Sequence, residues 1–205
     1  MLAIGDILGG TYRVERLIGQ GGTACVYEVS HVRLPRRFAV KVMTGQAFSD
    51  AVFMQRFRQE AEILGSLEHP HLVQVLEWNF HPAGYPYLVM ELLPGEDLGK
   101  FITRVGALSH PIAISIFLQI AEALQYLHEQ GVVHRDLKPG NIFLCRNGPF
   151  PNYVKVLDFG IAKAERSAIP IQTDRTMLIK TPTYMTPKQT HNLPHLIDTH
   201  TDQFT

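Results

Sequence analysis

The eight residues HRDLKPGN, from His134 to Asn141, set a cation, a carboxylate, a second cation and a carboxamide close together, with Pro139 stiffening the chain between them. Asp136 can accept the proton of an attacking hydroxyl, and Lys138 can offset negative charge on a group in transfer. Asn141, with Asp158 in the later run DFG, offers hard oxygen ligands suited to Mg2+. Upstream, GQGGTACV at 19–26 lies between two strand-like runs, where glycines let a hairpin backbone sit close over phosphates and present N–H donors. Lys41, in the apolar run FAVKVM, is the candidate partner of Glu60, and a buried Lys-Glu pair with donors to spare can also grip phosphate oxygens. Each piece has a bland reading as a tight turn, a structural ion pair or a cap. Their joint occurrence points to phosphoryl transfer, in which the protein mainly positions groups and neutralises spreading charge.

These residues need elements to carry them. Before residue 95 short β-type runs dominate, at 12–19, 24–32, 37–43, 72–78 and 86–92, with turn signals such as Gly21-Gly22 and Pro82-Ala83-Gly84 between them. They predict a small antiparallel sheet. One helix interrupts it at about 49–67, with Phe53, Phe57, Ala61, Leu64 and Leu67 at helical spacing and Ser49 or Asp50 as cap. Glu60 falls on that apolar stripe and asks for a cation. After residue 95 comes an amphipathic helix at about 109–130, with Ala113, Ile116, Ile120, Leu124 and Leu127 on one face and Gly131 as terminator. NIFLC and YVKVL then read as a β-hairpin that delivers Asp158, and 161–205 reads as loop. His191 and His195 are four apart, but Pro194 opposes the helix that would align them on a metal.

Composition narrows the class. The chain has 205 residues, 45% hydrophobic, enough for one large domain or two small lobes. Lysine plus arginine equals aspartate plus glutamate at 19 each, so no broad positive field argues for nucleic acid or an anionic membrane. Cys25 and Cys145 have neither disulfide-type nor metal-type spacing, and the opening MLAIGDILGG lacks a basic, apolar leader. The longest apolar stretch, 112–127, is broken by Ser115, Gln119, Glu122 and Gln125, so no membrane span is expected and a cytoplasmic location is.

In order and spacing, residues 12–205 resemble the eukaryotic-like serine/threonine protein kinases. The resemblance implies an α+β bilobal fold, with an N-lobe of sheet plus one helix at 1–93 and a mainly helical, incomplete C-lobe at 94–205. It implies ATP and Mg2+ as cofactors and a protein hydroxyl as acceptor. Ile18, Gly19, Gly21, Val26, Ala39, Lys41, Met90, Glu91, Leu93 and Phe143 would bind nucleotide. Asp136, Lys138, Lys41 and Glu60 would serve catalysis, and Asn141 and Asp158 the metal. Lys138 and Thr181 resemble the serine/threonine rather than the tyrosine pattern, and the opening YRVERLIGQGGTACVYEV resembles bacterial members. Arg135 resembles the arginine that pairs with an activation-segment phosphate, for which Thr173 or Thr176 is the expected acceptor.

The sequence also departs from the pattern. Ala24 stands where the loop's third glycine usually is, Lys180 replaces a glycine before Thr181, and TPK at 186–188 replaces APE. DTHTDQFT resembles the start of the central helix, with Asp202 in the position that anchors the catalytic loop, and the expectation is a C-lobe truncated there, unstable or weakly active alone. The alternative is a kinase-like ATP-binding or interaction module with little catalysis.

Overall fold

The computed structural model describes residues 2–21, 24–43, 51–158 and 200–203, apart from the side chains at 51–54, 56, 57, 59, 60, 200 and 203. Alternating β-branched and aromatic residues build six antiparallel strands: β1 (Ile7–Leu8), β2 (Tyr12–Gln20), β3 (Ala24–His31), β4 (Arg37–Met43), β5 (Val75–Phe80) and β6 (Pro86–Glu91). Their order across the sheet is β1-β2-β3-β4-β6-β5. Strand periodicity of two then sorts side chains onto two faces. Tyr12, Val14, Cys25, Tyr27, Val29, Phe38, Val40, Val42, Tyr87 and Val89 share one buried cluster, completed by Leu8. The alternate positions, Val26, Ala39, Lys41 and Met90, are left for the opposite face. Helix α1 (Ala51–Ser66) follows β4 and buries Ala61 and Leu64.

The chain divides into two compact units, the first formed by 1–67 with 74–93 and the second by 68–73 with 94–205. Residues 68–73 therefore part company with the sheet on either side of them. The reason is hydrogen bonding: the Val156 N–H donates to the His71 carbonyl at 2.8 Å, and the Val73 N–H donates to the Val156 carbonyl at 3.0 Å. The strand expected at 72–78 thus starts at Val75, because Leu72 and Val73 pair with a strand of the second unit instead.

That second unit holds β7 (Gly95–Asp97), α2 (Leu98–Val105), α3 (His110–Glu129), a 3-10 turn (Pro139–Asn141), β8 (Ile142–Cys145), β9 (Tyr153–Val156) and α4 (His200–Gln203). The expected two-stranded hairpin is a three-stranded sheet, β7-β8-β9. Neither β7 nor α2 was expected, although α2 carries both end signals. Asp97 Oδ1 accepts the Lys100 N–H at 2.9 Å, and Gly106, at φ 79°, closes the last turn through its N–H to the Ile102 carbonyl at 2.8 Å.

On α3 the buried residues are Ile116, Gln119, Ile120, Ala123 and Leu127. Of the expected stripe Ile116, Ile120 and Leu127 are buried and Ala113 and Leu124 only partly covered, while Ala123 and Gln119 join the inner face. A second apolar row, Ile114, Phe117 and Leu118, is exposed. No helix among the described residues is long and apolar enough to cross a membrane.

Candidate active site

In the first unit the site residues are placed by register. Val26 lies opposite Lys41, Gly19 opposite Val26, and Ala39 opposite Met90. Residues i and i+2 of a strand share a face, so Val26, Ala39, Lys41 and Met90 come together on the side away from the aromatic core. Ile18 occupies an irregularity between Leu17 and Gly19 and is exposed. Gly19 and Gly21 have ordinary negative-side backbone angles, and a Cβ at either would meet nothing closer than 3.6 Å. A Cβ at either position would therefore sit in ordinary van der Waals contact, with Val26 or with the Ala24 carbonyl. The Gly21 N–H donates to the Ala24 carbonyl at 2.9 Å, so it closes the hairpin rather than standing ready for a phosphate, contrary to the simplest expectation for this loop.

Further along the same face sits Glu28, opposite Ala39 and 3% exposed. Its carboxylate accepts from Arg16 Nη2 at 2.5 Å and Arg37 Nη1 at 2.6 Å. Burial alone would raise its pKa; the hydrogen bonds from Arg37 and Arg16 outweigh that and hold it below the usual carboxylate range. At the end of β6, Glu91 pairs with Phe38, donates its N–H to the Gln74 carbonyl at 3.1 Å and accepts the Gln74 N–H on Oε1 at 2.9 Å. Leu93, partly buried, is the last residue of the unit. The Glu60 side chain lies outside the described residues, as do Thr173, Thr176, Thr181, Lys180, Lys188, His191 and His195.

The second unit positions its residues by side chains that bind backbone. Asp202, 3% exposed on α4, accepts the His134 N–H at 2.7 Å and the Arg135 N–H at 2.8 Å. His128, in the last turn of α3, meets the same carboxylate through Nε2 at 3.0 Å. This grip matters because Arg135 has φ 65°, a left-handed conformation that costs a non-glycine residue on the order of 1 kcal/mol. His134 is fully buried, its Nε2 2.8 Å from the Leu157 carbonyl and its Nδ1 receiving the Asp136 N–H at 3.2 Å. Those partners define one neutral tautomer, protonated on Nε2. Burial lowers the pKa of this imidazole, against a smaller upward pull from the Leu157 carbonyl.

Fixed in this way, the loop gathers three of the expected residues. Asp136 Oδ2 receives Lys138 Nζ at 3.1 Å and Asn141 Nδ2 at 3.2 Å, and the same Nδ2 donates to the Asp136 carbonyl at 2.8 Å. With its nitrogen committed to Asp136, Asn141 presents Oδ1 as its remaining ligand atom. The Leu157 N–H donates to the Asn141 carbonyl at 2.8 Å, which brings Asp158, exposed and at φ 56°, within one residue of that asparagine. One carboxylate and one amide oxygen form a donor set that suits Mg2+. Phe143 lies on β8 between the buried Ile142 and Leu144, partly exposed and opposite Lys155.

The sequence pattern of the protein kinase domain family matches residues 12–205. The chain belongs to that family. It is 42% identical over 190 residues to the serine/threonine-protein kinase PknA of Mycobacterium tuberculosis, covering 91% of this chain and 43% of PknA. To the serine/threonine-protein kinase Pkn1 of Myxococcus xanthus it is 39% identical over 180 residues, covering 88% of this chain and 25% of Pkn1. This kinase-family chain thus spans less than half the length of these relatives. Among solved structures, the PknI kinase domain of M. tuberculosis matches with a TM-score of 0.76 at 28% identity, over 99% of this chain and 73% of that one. Rad53 in complex with AMP-PNP matches with a TM-score of 0.71 at 28% identity, over 89% of this chain and 43% of that one. The fold is the protein kinase fold, and the family as a whole works with ATP and Mg2+.

Proposed function

We propose that this chain is the catalytic domain of a cytoplasmic serine/threonine protein kinase, which moves the γ-phosphoryl of ATP to a serine or threonine hydroxyl of a protein. The observation that carries the reading is the convergence of Lys138 and Asn141 on Asp136, at 3.1 and 3.2 Å, in a loop tied by backbone to the residue before Asp158. Asp136 orients the acceptor hydroxyl and takes its proton as the new O–P bond forms and the bond to the bridging oxygen of ADP breaks. Lys138 offsets charge on the group in transfer. Asn141 Oδ1 and the Asp158 carboxylate hold Mg2+, which supplies charge neutralisation at the phosphates. Lys41, supported by Glu60, grips phosphate oxygens, and Ile18, Val26, Ala39, Met90 and Phe143 sandwich the base. Gly19 and Gly21 make room for the phosphates, and the backbone of Glu91 to Leu93 hydrogen-bonds adenine. Thr173 or Thr176 is the autophosphorylation site.

Labelled-phosphate transfer to a protein substrate, run beside thermal melting with and without Mg·ATP, tests the reading. Asp136→Asn is expected to lose about 100- to 10,000-fold in transfer while keeping the melting shift. A melting shift with no transfer by the unaltered chain would favour an ATP-binding module instead, and absence of both would refute the kinase reading. Mass spectrometry after incubation with ATP, finding no phosphate between 161 and 181, would remove the threonine assignment.

A further inference from the structure

Asp158 follows β9 by two residues, so whatever fixes β9 fixes that carboxylate. Three sets of contacts hold the strand. β8 pairs along one edge, from Ile142 opposite Val156 to Cys145 opposite Tyr153. Residues 71–73 lie along the other edge, through backbone bonds to Val156 and His71 Nδ1 at 2.9 Å from the Val154 carbonyl. The third contact is a single side chain from α3. Gln119, 5% exposed, accepts the Val154 N–H on Oε1 at 2.8 Å and donates from Nε2 to the Asn152 carbonyl at 3.0 Å. Its Nε2 also donates to the Ser115 carbonyl of its own helix at 3.0 Å, which locks the side chain against the turn behind it. Asn152, at φ 57°, immediately precedes the strand, so the amide grips both the strained turn and the second residue of β9.

The same helix grips the catalytic loop nine residues later, where His128 meets Asp202. Nine residues at 100° each bring the two side chains to opposite sides of α3, about 13 Å apart along its axis. One rigid helix therefore registers both β9 and the Asp202 carboxylate that holds His134 and Arg135. A purely apolar side chain could bury the same area but would leave the Val154 N–H and the Asn152 carbonyl without this partner.

We propose that Gln119 is a positioning residue for the metal site: its amide clamp sets the register of β9 on α3 so that Asp158 and Asn141 hold one cation. The inference rests on the kinase reading. Gln119→Met keeps the length of the side chain and removes all three hydrogen bonds, whereas Gln119→Asn keeps a neutral amide that is one methylene too short to reach the strand as well. Two readouts are taken on the whole chain: hydrogen exchange over 152–158, and the Mg2+ concentration that half-saturates the extra melting shift seen with ATP. The shift with ATP in chelator serves as the control. Exchange is expected to quicken in Gln119→Met, and the half-saturating Mg2+ to rise about tenfold, as for other residues that orient metal ligands, with the chelator shift unchanged. Gln119→Asn should fall between, and it carries the same comparison if the methionine form does not fold. A lowered melting temperature with unchanged Mg2+ dependence would show a merely structural amide and overturn the proposal. An ATP shift with no Mg2+ increment in the unaltered chain would overturn it while leaving nucleotide binding intact; no shift with ATP at all would sink the kinase reading and the clamp's metal role together.

Discussion

The two units solve the same problem, holding particular side chains in fixed directions, by different means. In the first, Val26, Ala39, Lys41 and Met90 are aimed by strand parity alone: once the aromatic face is buried, every second residue points the other way. In the second, His134 to Asn141 has no repeating ladder: His134 and Arg135 are held by Asp202, itself met by His128, and Asp136 by Asn141. Distributed placement tolerates the loss of one contact, whereas placement through a few buried polar atoms does not.

The largest effect should accordingly come from Asp202. Truncation to alanine strips the acceptor from two backbone N–H groups and leaves His128 facing an apolar hole. Removing one partner from such a buried network costs about 3–5 kcal/mol. Asp202→Ala should therefore lower the melting temperature and speed hydrogen exchange over 131–137, with little change in strands β2 to β4. A loss below about 1 kcal/mol, the scale of an exposed ion pair, would show that the loop is held by something other than this carboxylate.

That contrast also governs how much could be read from sequence. Parity is visible in a string of letters, so β2, β3, β4 and β6, and the face carrying Lys41, were legible. The HRD run and Asp158 were legible because their residue types are chemically uncommon together. The anchoring contacts were harder. Gln119 looked like a polar interruption in 112–127, and only the geometry shows its amide satisfying the Val154 N–H. Leu72 and Val73 extend the apolar run that leads into β5, yet pair with Val156, a partner that no local pattern names. By contrast α2 had its cap, its apolar spacing at Leu98, Phe101, Ile102 and Val105, and Gly106 as stop, so it was there to be found.

A middle-sized effect sharpens the parity argument within the first unit. Val40 is fully buried in the aromatic cluster, while Val26 lies on the opposite face and is half-buried. Val40→Ala should cost about 2 kcal/mol through lost burial and a residual cavity. Val26→Ala should cost under about 1 kcal/mol, yet shrink the melting shift given by Mg·ATP. Equal stability losses, or an ATP effect confined to Val40→Ala, would break the assignment of the two faces.

The smallest effect is expected from pH, and it separates the units by their buried titratable groups. Two histidines of the second unit have lowered pKa values: His134 chiefly through burial, with Leu157 and nearby carboxylates pulling weakly the other way, and His69 through burial and then the neighbouring His71. For each, the unfolded chain binds more protons than the folded one just below the ordinary histidine pKa of about 6.5. Stability they contribute is present above that pH and is lost as pH falls from it toward the folded values. Among the described residues of the first unit the buried carboxylate is Glu28, held below its usual range because hydrogen bonds from Arg37 and Arg16 exceed the opposing effect of burial. Its contribution survives until pH falls below about 4.5, the unfolded carboxylate range, and then declines. Acidification should therefore loosen the second unit first. Protection factors over 126–136 should fall as pH drops below about 6.5, while those of β2 to β4 and the fluorescence of Trp78, the single tryptophan, hold steady until lower pH. Simultaneous loss in both units near pH 6, or earlier loss in the sheet, would mean that the stability of the catalytic loop does not depend on a neutral His134.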